Sequence, residues 1–453
     1  MNADCREIAV EGLRYRLRPE SFLNEQQAVY ALRQLWRIAV GNTVRCATPL
    51  IHIESASKAE VGSLFRAVEP IVDWVSVDSV LPTGTANPFD SAQLPVFPIR
   101  EMRRENRLPN GEFPFDLVSM TFLMLSRWEE VNLQLRLDEH GRTKDSEMLA
   151  CRAGFHDRPI VDQWCVVLRS WLRLFGIRPA PRQSNVVLTH DLDRPVRYPS
   201  LYRIFRGAAG EFLQRRKANL FAAGREFRQG VQCFSGVRHD PYLSSIVDLA
   251  SVSEAIGTRG RFYVMTADAR RYDEGYPPNQ GRYYEILQDL SRRGHEIGWH
   301  PGYDAATDAD RYQTEKQRMD QLGFGSRYGG RHHYLRWTPA AWDQWAAAGL
   351  LYDSSVGFAR TAGFRAGTCH PYPVYSLKQN RALDLIERPL LIMDVALTAL
   401  RQQGQDVSAL VDSIMQRAHT VGGEAVLLVH NCFNDSAILK MLFEHAHRTP
   451  VAA

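Results

Sequence analysis

The chain has 453 residues, of which 45% are hydrophobic and 23% are charged. This composition is typical of a soluble globular protein, and the length exceeds what one hydrophobic core usually serves, so we expect two domains. The formal net charge of +4 is small for this length and gives no argument for a nucleic-acid partner. No apolar run in the sequence reaches the roughly 18 residues that a membrane-spanning helix requires.

The seven cysteines are odd in number and include no Cys-x-x-Cys pair. This usage favours a reducing compartment and argues against a disulfide framework or a thiolate zinc site. Residues 1–7 contain neither the basic stretch nor the apolar stretch of a secretory signal,. We therefore expect a cytoplasmic protein.

Residues 1–180 are predicted to form an N-terminal α/β domain. Hydrophobic periodicity and capping residues predict its elements: strands at 50–53 and 72–77, and helices at 25–40, at 117–130 after an N-cap at Asp116, and at 160–175 before Gly176. Residues 87–110 are rich in Pro, Asn, Asp and Arg, which predicts a long surface connection. We find no convergent chemistry in this half, because Trp-Glu-Glu at 128–130 is more typical of packing plus a solvated helix face.

The most informative stretch is 185–195. A short apolar run at 186–189 predicts a buried strand, and it ends in the polar sequence His-Asp-Leu-Asp. In an extended chain Asp191 and Asp193 are two residues apart and point to the same side. Two carboxylates at the C-terminal end of a strand suit a metal or general-base site in an α/β protein. The alternative is a hydrogen-bonded turn with solvated acids.

From residue 184 to about residue 445, predicted strands alternate with predicted helices. This alternation indicates a second domain built on a parallel sheet or barrel. Its predicted strands are 186–189, 261–265, 296–300 and 425–430, and its predicted helices are 243–256, 283–293, 306–322, 340–348 and 407–418.

A basic insertion occupies residues 194–238 of this domain. It holds ten Lys or Arg and two Glu, with apolar residues interleaved at Phe205, Phe212, Leu220, Phe221 and Phe227. It could be an amphipathic arm that contacts an anionic partner, such as a membrane surface or a phosphorylated, lipid-linked glycan carrier. The alternative, which we favour, is a solvated helical excursion.

The predicted strand at 296–300 delivers His300 to its C-terminal end. In a parallel sheet this is the end at which Asp191 and Asp193 lie. An imidazole and a carboxylate brought together there suit Zn²⁺ and similar divalent ions, although a lone histidine is more often structural. His295 and Glu296, at the other end of the strand, are expected to be structural.

The loop at 329–337 is unusually rich in polar side chains. Arg331 could hold a carboxylate through its fork of donors, and His333 could bind a metal. The loops at 353–355 and 363–372 could line a cleft. We predict that five side chains contact a sugar substrate: Tyr303, Tyr334, Arg336, Arg365 and Tyr372.

The last predicted strand is fully apolar and ends in His430. A histidine at a strand's C-terminal end can act as a general acid, because imidazole titrates near neutral pH. A purely structural metal site is the alternative for the whole group of histidines.

Four motifs, taken together and in order, resemble the polysaccharide deacetylase family, the NodB-homology carbohydrate esterases. They are Thr-His-Asp-Leu-Asp at 189–193, Gly-His-Glu-Ile-Gly-Trp-His at 294–300, the Arg331 loop, and Leu-Leu-Val-His-Asn at 427–431. The resemblance covers about residues 184–445. The sequences at 300–303 and 331–336 resemble a subgroup found with bacterial extracellular-polysaccharide genes. That subgroup carries an N-terminal domain of unknown function, which residues 1–180 resemble, notably at 125–130.

The resemblance implies a distorted (β/α)7 barrel and a metal-dependent removal of an acetyl group from an N-acetylated sugar of a polysaccharide or its precursor. It also implies roles for the residues that match its motifs: Asp191 as general base, Asp193 and His300 as ligands of a divalent metal such as Zn²⁺, Arg331 as the tether of the base, and His430 as catalytic acid.

The sequence departs from the family at one position. The family usually places a second metal-binding histidine four residues after the first, and here that residue is Asp304. Either Asp304 or His333 is the third ligand, and we favour His333. Two other functions stay open at this point: a glycan-binding protein without turnover, and a glycoside hydrolase that uses Asp191 with a second acid.

Overall fold

The structure is a computed structural model, and it describes residues 5–41, 44–46, 48–66, 72–97, 112–113, 115–214, 220–325 and 327–448. These residues form a mixed α/β structure with both parallel and antiparallel strand pairs. The strands are β1 (Arg6–Val10), β2 (Leu13–Leu17), β3 (Ile51–Glu54), β4 (Asp73–Ser76), β5 (Gln93–Val96), β6 (Glu112–Phe113), β7 (Asn185–Leu192), β8 (Arg261–Met265), β9 (Glu296–His300), β10 (Tyr352–Asp353), β11 (Tyr372–Ser376), β12 (Arg381–Glu387), β13 (Ile392–Met393) and β14 (Glu424–Leu428).

The helices are α1 (Glu25–Ala39), α2 (Lys58–Arg66), α3 (Val77–Val80), α4 (Leu117–Leu125), α5 (Trp128–Asn132), α6 (Leu149–Arg152), α7 (Ile160–Leu174), α8 (Leu201–Gln214), α9 (Leu220–Phe234), α10 (Pro241–Ala255), α11 (Gly281–Arg292), α12 (Ala309–Gln321), α13 (Pro339–Ala347), α14 (Asp394–Gln402), α15 (Val407–Val421) and α16 (Ser436–Arg448). None of these described helices combines the length and the apolarity that crossing a bilayer requires.

The chain divides into two compact units. Unit 1 holds Met1–Val186, Tyr334–Leu427 and Lys440–Ala453, and unit 2 holds Val187–His333 and Leu428–Leu439. Each unit thus draws on more than one stretch of sequence. The predicted domains at 1–180 and 184–445, which would meet at a single point in the sequence, stay a prediction.

Unit 1 contains a four-stranded sheet in the order β1-β2-β3-β6. β1 and β2 form an antiparallel hairpin, while β3 runs parallel to β2 and to β6. All nine residues of α4 are buried, and Asp116 caps the helix by accepting hydrogen bonds from the N–H groups of Val118 and Ser119. The predicted N-cap is therefore confirmed, and it satisfies two donors that the first turn of a helix leaves unpaired.

Three expectations for the N-terminal region were wrong. The single helix predicted at 117–130 is divided into α4 and α5, with Arg127 between them in a left-handed conformation. The predicted surface connection at 87–110 contains β5, which pairs antiparallel with β4; its residues 98–110 lie outside the described part of the chain. The expected solvated face at 128–130 is also absent from the described structure, since the carboxylates of Glu129 and Glu130 are buried and both pair with Arg127. Burial of these acids is tolerated because guanidinium groups neutralise them.

Unit 2 is organised around three parallel strands, β7, β8 and β9, as predicted. The apolar residues of β8 and β9 are almost all buried, as expected where helical connections (α10 and α11) cover a parallel sheet. In the register, Asp191 lies opposite Tyr263 and Met265 lies opposite His300. The C-terminal ends of the strands therefore meet at one edge, which carries the polar residues. A parallel sheet is confirmed, and its closure into a (β/α)7 barrel stays a prediction.

The loop after α12 runs alongside β9 and is held there by backbone contacts. Trp299 and Gly330 form a parallel bridge, and the Arg331 N–H donates to the Trp299 carbonyl at 3.1 Å. A Cβ atom on Gly330 would lie 1.9 Å from the Trp299 carbonyl oxygen, so only glycine permits this approach. The bridge fixes the position of Arg331 and His333 beside the end of β9.

Candidate metal centre

Three side chains of unit 2 converge at the C-terminal edge of the parallel strands. Asp193, His300 and His333 each offer one ligand atom, and these atoms lie within 4.8 Å of one another. Nε2 of His300 is 3.0 Å from Oδ1 of Asp193, and Nε2 of His333 is 3.7 Å from Oδ2 of the same carboxylate. Ligands about 2.1 Å from a tetrahedral zinc ion lie about 3.4 Å apart, so these separations suit a shared ion.

The second ring nitrogen of each histidine is fixed by a hydrogen bond. Nδ1 of His300 donates to the backbone carbonyl of Arg331 at 2.6 Å, and Nδ1 of His333 donates to Oδ1 of Asp273 at 2.8 Å. Because a carbonyl oxygen can only accept, His300 must carry its proton on Nδ1 when neutral. Its Nε2 then presents a lone pair, which is the arrangement that metal-binding histidines adopt.

Two of the donor atoms also fit a metal because they are buried without an aligned hydrogen bond. Oδ1 of Asp193 and Nε2 of His300 are fully buried and make no aligned hydrogen bond, although only 3.0 Å separates them. Leaving buried polar atoms unsatisfied costs about 1–3 kcal/mol each. An ion bound between these two atoms would satisfy both of them, because their lone pairs point to a common position and not at each other.

The charges of the group favour a positive charge within it. Burial alone would raise the pKa of Asp193, but the imidazoles of His333, His430 and His300 outweigh it and hold that pKa well below its usual range. Burial alone would lower the pKa of His333, but the carboxylates of Asp193 and Asp273 outweigh it and raise that pKa to about 9. The pocket therefore favours positive charge at the position of His333.

Asp191 lies beside this group and is held by a buried arginine. Nη1 of Arg331 donates both to Oδ1 of Asp191 and to Oγ1 of Thr189, each at 2.9 Å. The other carboxylate oxygen of Asp191 is 3.8 Å from Nε2 of His300. Since Arg331 is fully buried, this pairing fixes the orientation of the carboxylate and leaves Oδ2 toward the centre.

His430 reaches the same carboxylate from the end of β14. The N–H of Val429 donates to the Thr189 carbonyl at 3.0 Å, which aligns this stretch with β7. Nε2 of His430 then lies 3.7 Å from Oδ2 of Asp193. All six residues predicted as catalytic or metal-binding are thus brought together within unit 2.

The two candidates for the third ligand differ clearly in position. Asp304 lies in a short 3₁₀-helix, exposes 43% of its side chain, and has its carboxylate 3.9 Å from Nε of Arg270. His333 is buried and belongs to the converging group. The geometry therefore favours His333 over Asp304, because a buried imidazole already directed at Asp193 needs no rearrangement to bind.

Asp273 is a site residue that the sequence did not reveal. It accepts from His333 and, through both carboxylate oxygens, from the N–H of Tyr303 at 3.0 and 3.1 Å. It lies in the connection after β8, at the same sheet edge as the ligands. The only sequence feature that could have indicated Asp273 is that it is an acidic residue in a polar segment after a strand. Asp268 and Glu274 have the same feature, so it does not single out Asp273.

The predicted sugar-binding residues fall in both units. In unit 2 the ring of Tyr303 packs on Tyr272 with centroids 4.1 Å apart. The other four lie in unit 1. Tyr334 packs against His140, and Arg336 donates a hydrogen bond to the His140 carbonyl. Arg365 pairs with Glu130, and Tyr372 is buried in β11. Contact of these five side chains with a sugar stays a prediction.

Unit 2 contains a cleft of about 510 Å³ whose walls include two residues adjacent in sequence to the candidate centre. Its walls include Arg194 and Glu274, the residues that follow Asp193 and Asp273. Nε of Arg194 lies 3.1 Å from Oε1 of Glu274, and Arg203 of α8 pairs with the same carboxylate.

Comparison with known proteins gives one family and several solved structures. A family model described as "Family of unknown function (DUF7033)" matches residues 59–175. No curated protein shows significant sequence similarity to the chain. A "putative polysaccharide deacetylase" from Mycobacterium smegmatis is 15% identical, with a TM-score of 0.34 over 60% of this chain and 86% of that one. A "putative polysaccharide deacetylase involved in o-antigen biosynthesis" from Bordetella bronchiseptica is 16% identical, with a TM-score of 0.32 over 59% and 82%.

Proposed function

We propose that this chain is a metal-dependent hydrolase that removes an N-acetyl or related acyl group from an amino sugar of a bacterial polysaccharide or its precursor. The observation that carries the proposal is the convergence of Asp193, His300 and His333 directly beside Asp191. The sequence motifs that resemble polysaccharide deacetylases supply Asp191, Asp193 and His300 in family order, while His333 takes the place of the family's second histidine. Zn²⁺ is the ion that this donor set favours.

The mechanism assigns distinct roles to residues that do not bind the ion. A divalent ion held by Asp193, His300 and His333 would polarise the amide carbonyl and acidify a water molecule. Asp191 is the general base: Arg331 engages its Oδ1, which leaves Oδ2 to take the proton of the attacking water. Arg331 thereby orients the base.

His430 is the general acid. Its Nε2 lies 3.7 Å from Oδ2 of Asp193, so it approaches the centre from a different strand than Asp191 does. Water adds to the amide carbonyl as Asp191 takes its proton, and the C–N bond breaks as His430 donates a proton to the leaving amine. Acetate and a free amino sugar are the products, and the two residues exchange protons with solvent before the next turnover.

A glycoside hydrolase is disfavoured by the same geometry. Such an enzyme uses two carboxylic acids that flank the sugar and act as acid and base or nucleophile. Here Asp191 is engaged by Arg331, and Asp193 faces three imidazoles that keep it ionised. Asp193 is therefore not in an environment that would keep it protonated as a general acid, and cleavage of an amide bond fits better.

The test is to incubate the purified protein with oligosaccharides of N-acetylglucosamine and to measure released acetate, new amines and new reducing ends. The proposal predicts acetate and amine in equal amounts, no new reducing ends, and loss of both products after treatment with a chelator. New reducing ends that persist with chelator would indicate a glycosidase. Binding of the oligosaccharide without any product, in metal-loaded protein, would indicate a glycan-binding protein.

A further inference from the structure

The described part of the basic insertion forms a helical hairpin in unit 2. Helices α8 and α9 run antiparallel and pack closely where Gly230 meets Ile204. A Cβ atom on Gly230 would lie 2.7 Å from a methyl carbon of Ile204. The rings of Phe205 and Phe227 meet at 5.1 Å between centroids. Among the residues of α8 and α9 whose side chains are described, three are buried: Ile204, Ala222 and Gly230. Only a narrow face of each helix is therefore covered.

The opposite face of the hairpin is apolar and exposed. Nine of the fifteen large apolar side chains that are exposed in the described part of the chain lie between Leu201 and Val237, so the exposure is concentrated in this one segment. Seven of them are more than half exposed, and six of these lie on the two helices: Leu201, Tyr202, Phe205, Leu220, Phe221 and Phe234. We call these six residues the outer face. Because Phe205 touches Phe227, the exposed stripes of the two helices join into one surface.

The outer face is bordered by positive charge. Arg206, Arg225 and Arg228 are exposed on the two helices. Arg206 lies one helical turn after Tyr202, and Arg225 lies one helical turn after Phe221, so each shares a side of its helix with a residue of the outer face. The nearby carboxylate of Glu226 is turned away and pairs with Arg197 at 2.9 Å. An apolar stripe with arginines at its edge is the pattern of helices that lie in the interface of an anionic membrane.

We propose that the hairpin of α8 and α9 binds the surface of membranes that contain anionic lipids, with the outer face inserted among the acyl chains. Charge complementarity selects this occupant. In a two-fold contact with a second copy, the same arginines would face each other, and such like-charge contacts are unfavourable. A bilayer instead supplies negative headgroups at the edge and an apolar layer beneath.

The hairpin is also connected to the loops that carry the candidate centre. Arg203 of α8 pairs with Glu274, which also pairs with Arg194. These partners directly follow Asp273 and Asp193 in sequence. Membrane binding would therefore hold the cleft near the bilayer surface, and this holds whether or not the centre acts on sugars.

The test is co-sedimentation of the full chain with vesicles. We expect binding to vesicles of phosphatidylcholine and phosphatidylglycerol in equal parts, little binding to phosphatidylcholine alone, and weakening at high salt. Leu201→Ser with Leu220→Ser should reduce the partition coefficient roughly tenfold or more. Arg225→Gln with Arg228→Gln should reduce it about 30-fold at low salt.

The chain offers matched controls. Leu201 and Leu220 are 52% and 72% exposed, and Leu137 and Leu174, outside the hairpin, are 56% and 65% exposed. Leu137→Ser with Leu174→Ser should therefore leave vesicle binding unchanged, as should replacement of the exposed Arg33 and Arg173 by Gln. The proposal is overturned if the wild type stays in the supernatant with anionic vesicles. It is also overturned if both leucine pairs have the same effect, or if Leu201→Ser with Leu220→Ser only abolishes a dimer or a protein complex.

Discussion

Nδ1 of His333 lies 2.8 Å from Oδ1 of Asp273, although the two residues are 60 positions apart in sequence. This hydrogen bond orients the imidazole so that Nε2 faces Asp193. A carboxylate behind a metal-binding histidine both fixes the ring and increases its basicity as a ligand. Asp273 therefore belongs to the candidate centre without contacting the ion.

Replacement of Asp273 should weaken metal binding. In Asp273→Ala we expect a 10- to 100-fold loss of zinc affinity, about the usual effect of removing such a partner, measured by competition with a fluorescent chelator. Asp268→Ala is the matched control, because this carboxylate lies in the same connection but pairs with Arg318. Equal zinc affinities for both variants would show that Asp273 does not support the centre.

The third ligand can be identified by comparing two variants. His333→Ala should lose most of its bound metal, since a buried imidazole directed at Asp193 is removed. Asp304→Ala should keep wild-type metal content, because that carboxylate is partly exposed and lies near Arg270. Metal analysis after dialysis measures both. The reverse order would mean that Asp304 moves into the position of the family's second histidine.

Comparing metal content with activity should distinguish the proposed acid and base, His430 and Asp191, from the proposed metal ligands. Asp191→Asn and His430→Ala should retain the metal and lose roughly 10²–10⁴-fold in the rate of acetate release, the usual contribution of a positioned acid or base. Asp193→Ala and His300→Ala should lose metal and activity together. If Asp191→Asn or His430→Ala released the metal, that residue would be a ligand instead.

The sequence predicted the strand ends well because strand periodicity and parallel pairing are local and regular. The apolar runs of β7 and β9 place Asp191, Asp193 and His300 at one edge without further information. Asp273 could not be predicted in the same way. It lies in an irregular connection, and its partner is selected by tertiary packing, which leaves no periodic pattern.

The break between α4 and α5 is a second feature that tertiary contacts determine and that the local sequence does not predict. The sequence at 117–130 predicts one helix because it contains neither Gly nor Pro. In the structure Arg127 adopts a left-handed conformation with φ of 54°. Its Nη1 donates to the carbonyls of Met124 and of Arg365, a distant residue. These tertiary hydrogen bonds stabilise a conformation that local propensity disfavours.

Glu315 should make the stability of the protein depend on pH. Burial raises its pKa from 4.5 to about 7, while its Oε2 accepts from the Gly302 N–H at 2.7 Å. Because the folded-state pKa lies above the unfolded value, the folded state retains a proton that the unfolded state has lost. The free energy of unfolding therefore falls as pH rises from about 4.5 to about 7, by up to ~3 kcal/mol.

Glu315→Gln keeps an acceptor for Gly302 and removes this ionisation. We expect the variant to gain stability relative to wild type between pH 5 and pH 8, values that bracket the raised pKa. Chemical denaturation of metal-free protein at both pH values measures the difference. The same stability difference at both values would show that Glu315 does not titrate in this interval.

The most direct test of the central claim is a zinc titration of chelator-treated protein, followed by the rate of acetate release from an N-acetylated oligosaccharide. The account predicts no release without metal, a rise that saturates at one equivalent of zinc in wild type, and no rise in Asp193→Ala at the same zinc concentrations. Acetate release that is independent of added metal, or equal rates in wild type and Asp193→Ala, would contradict it.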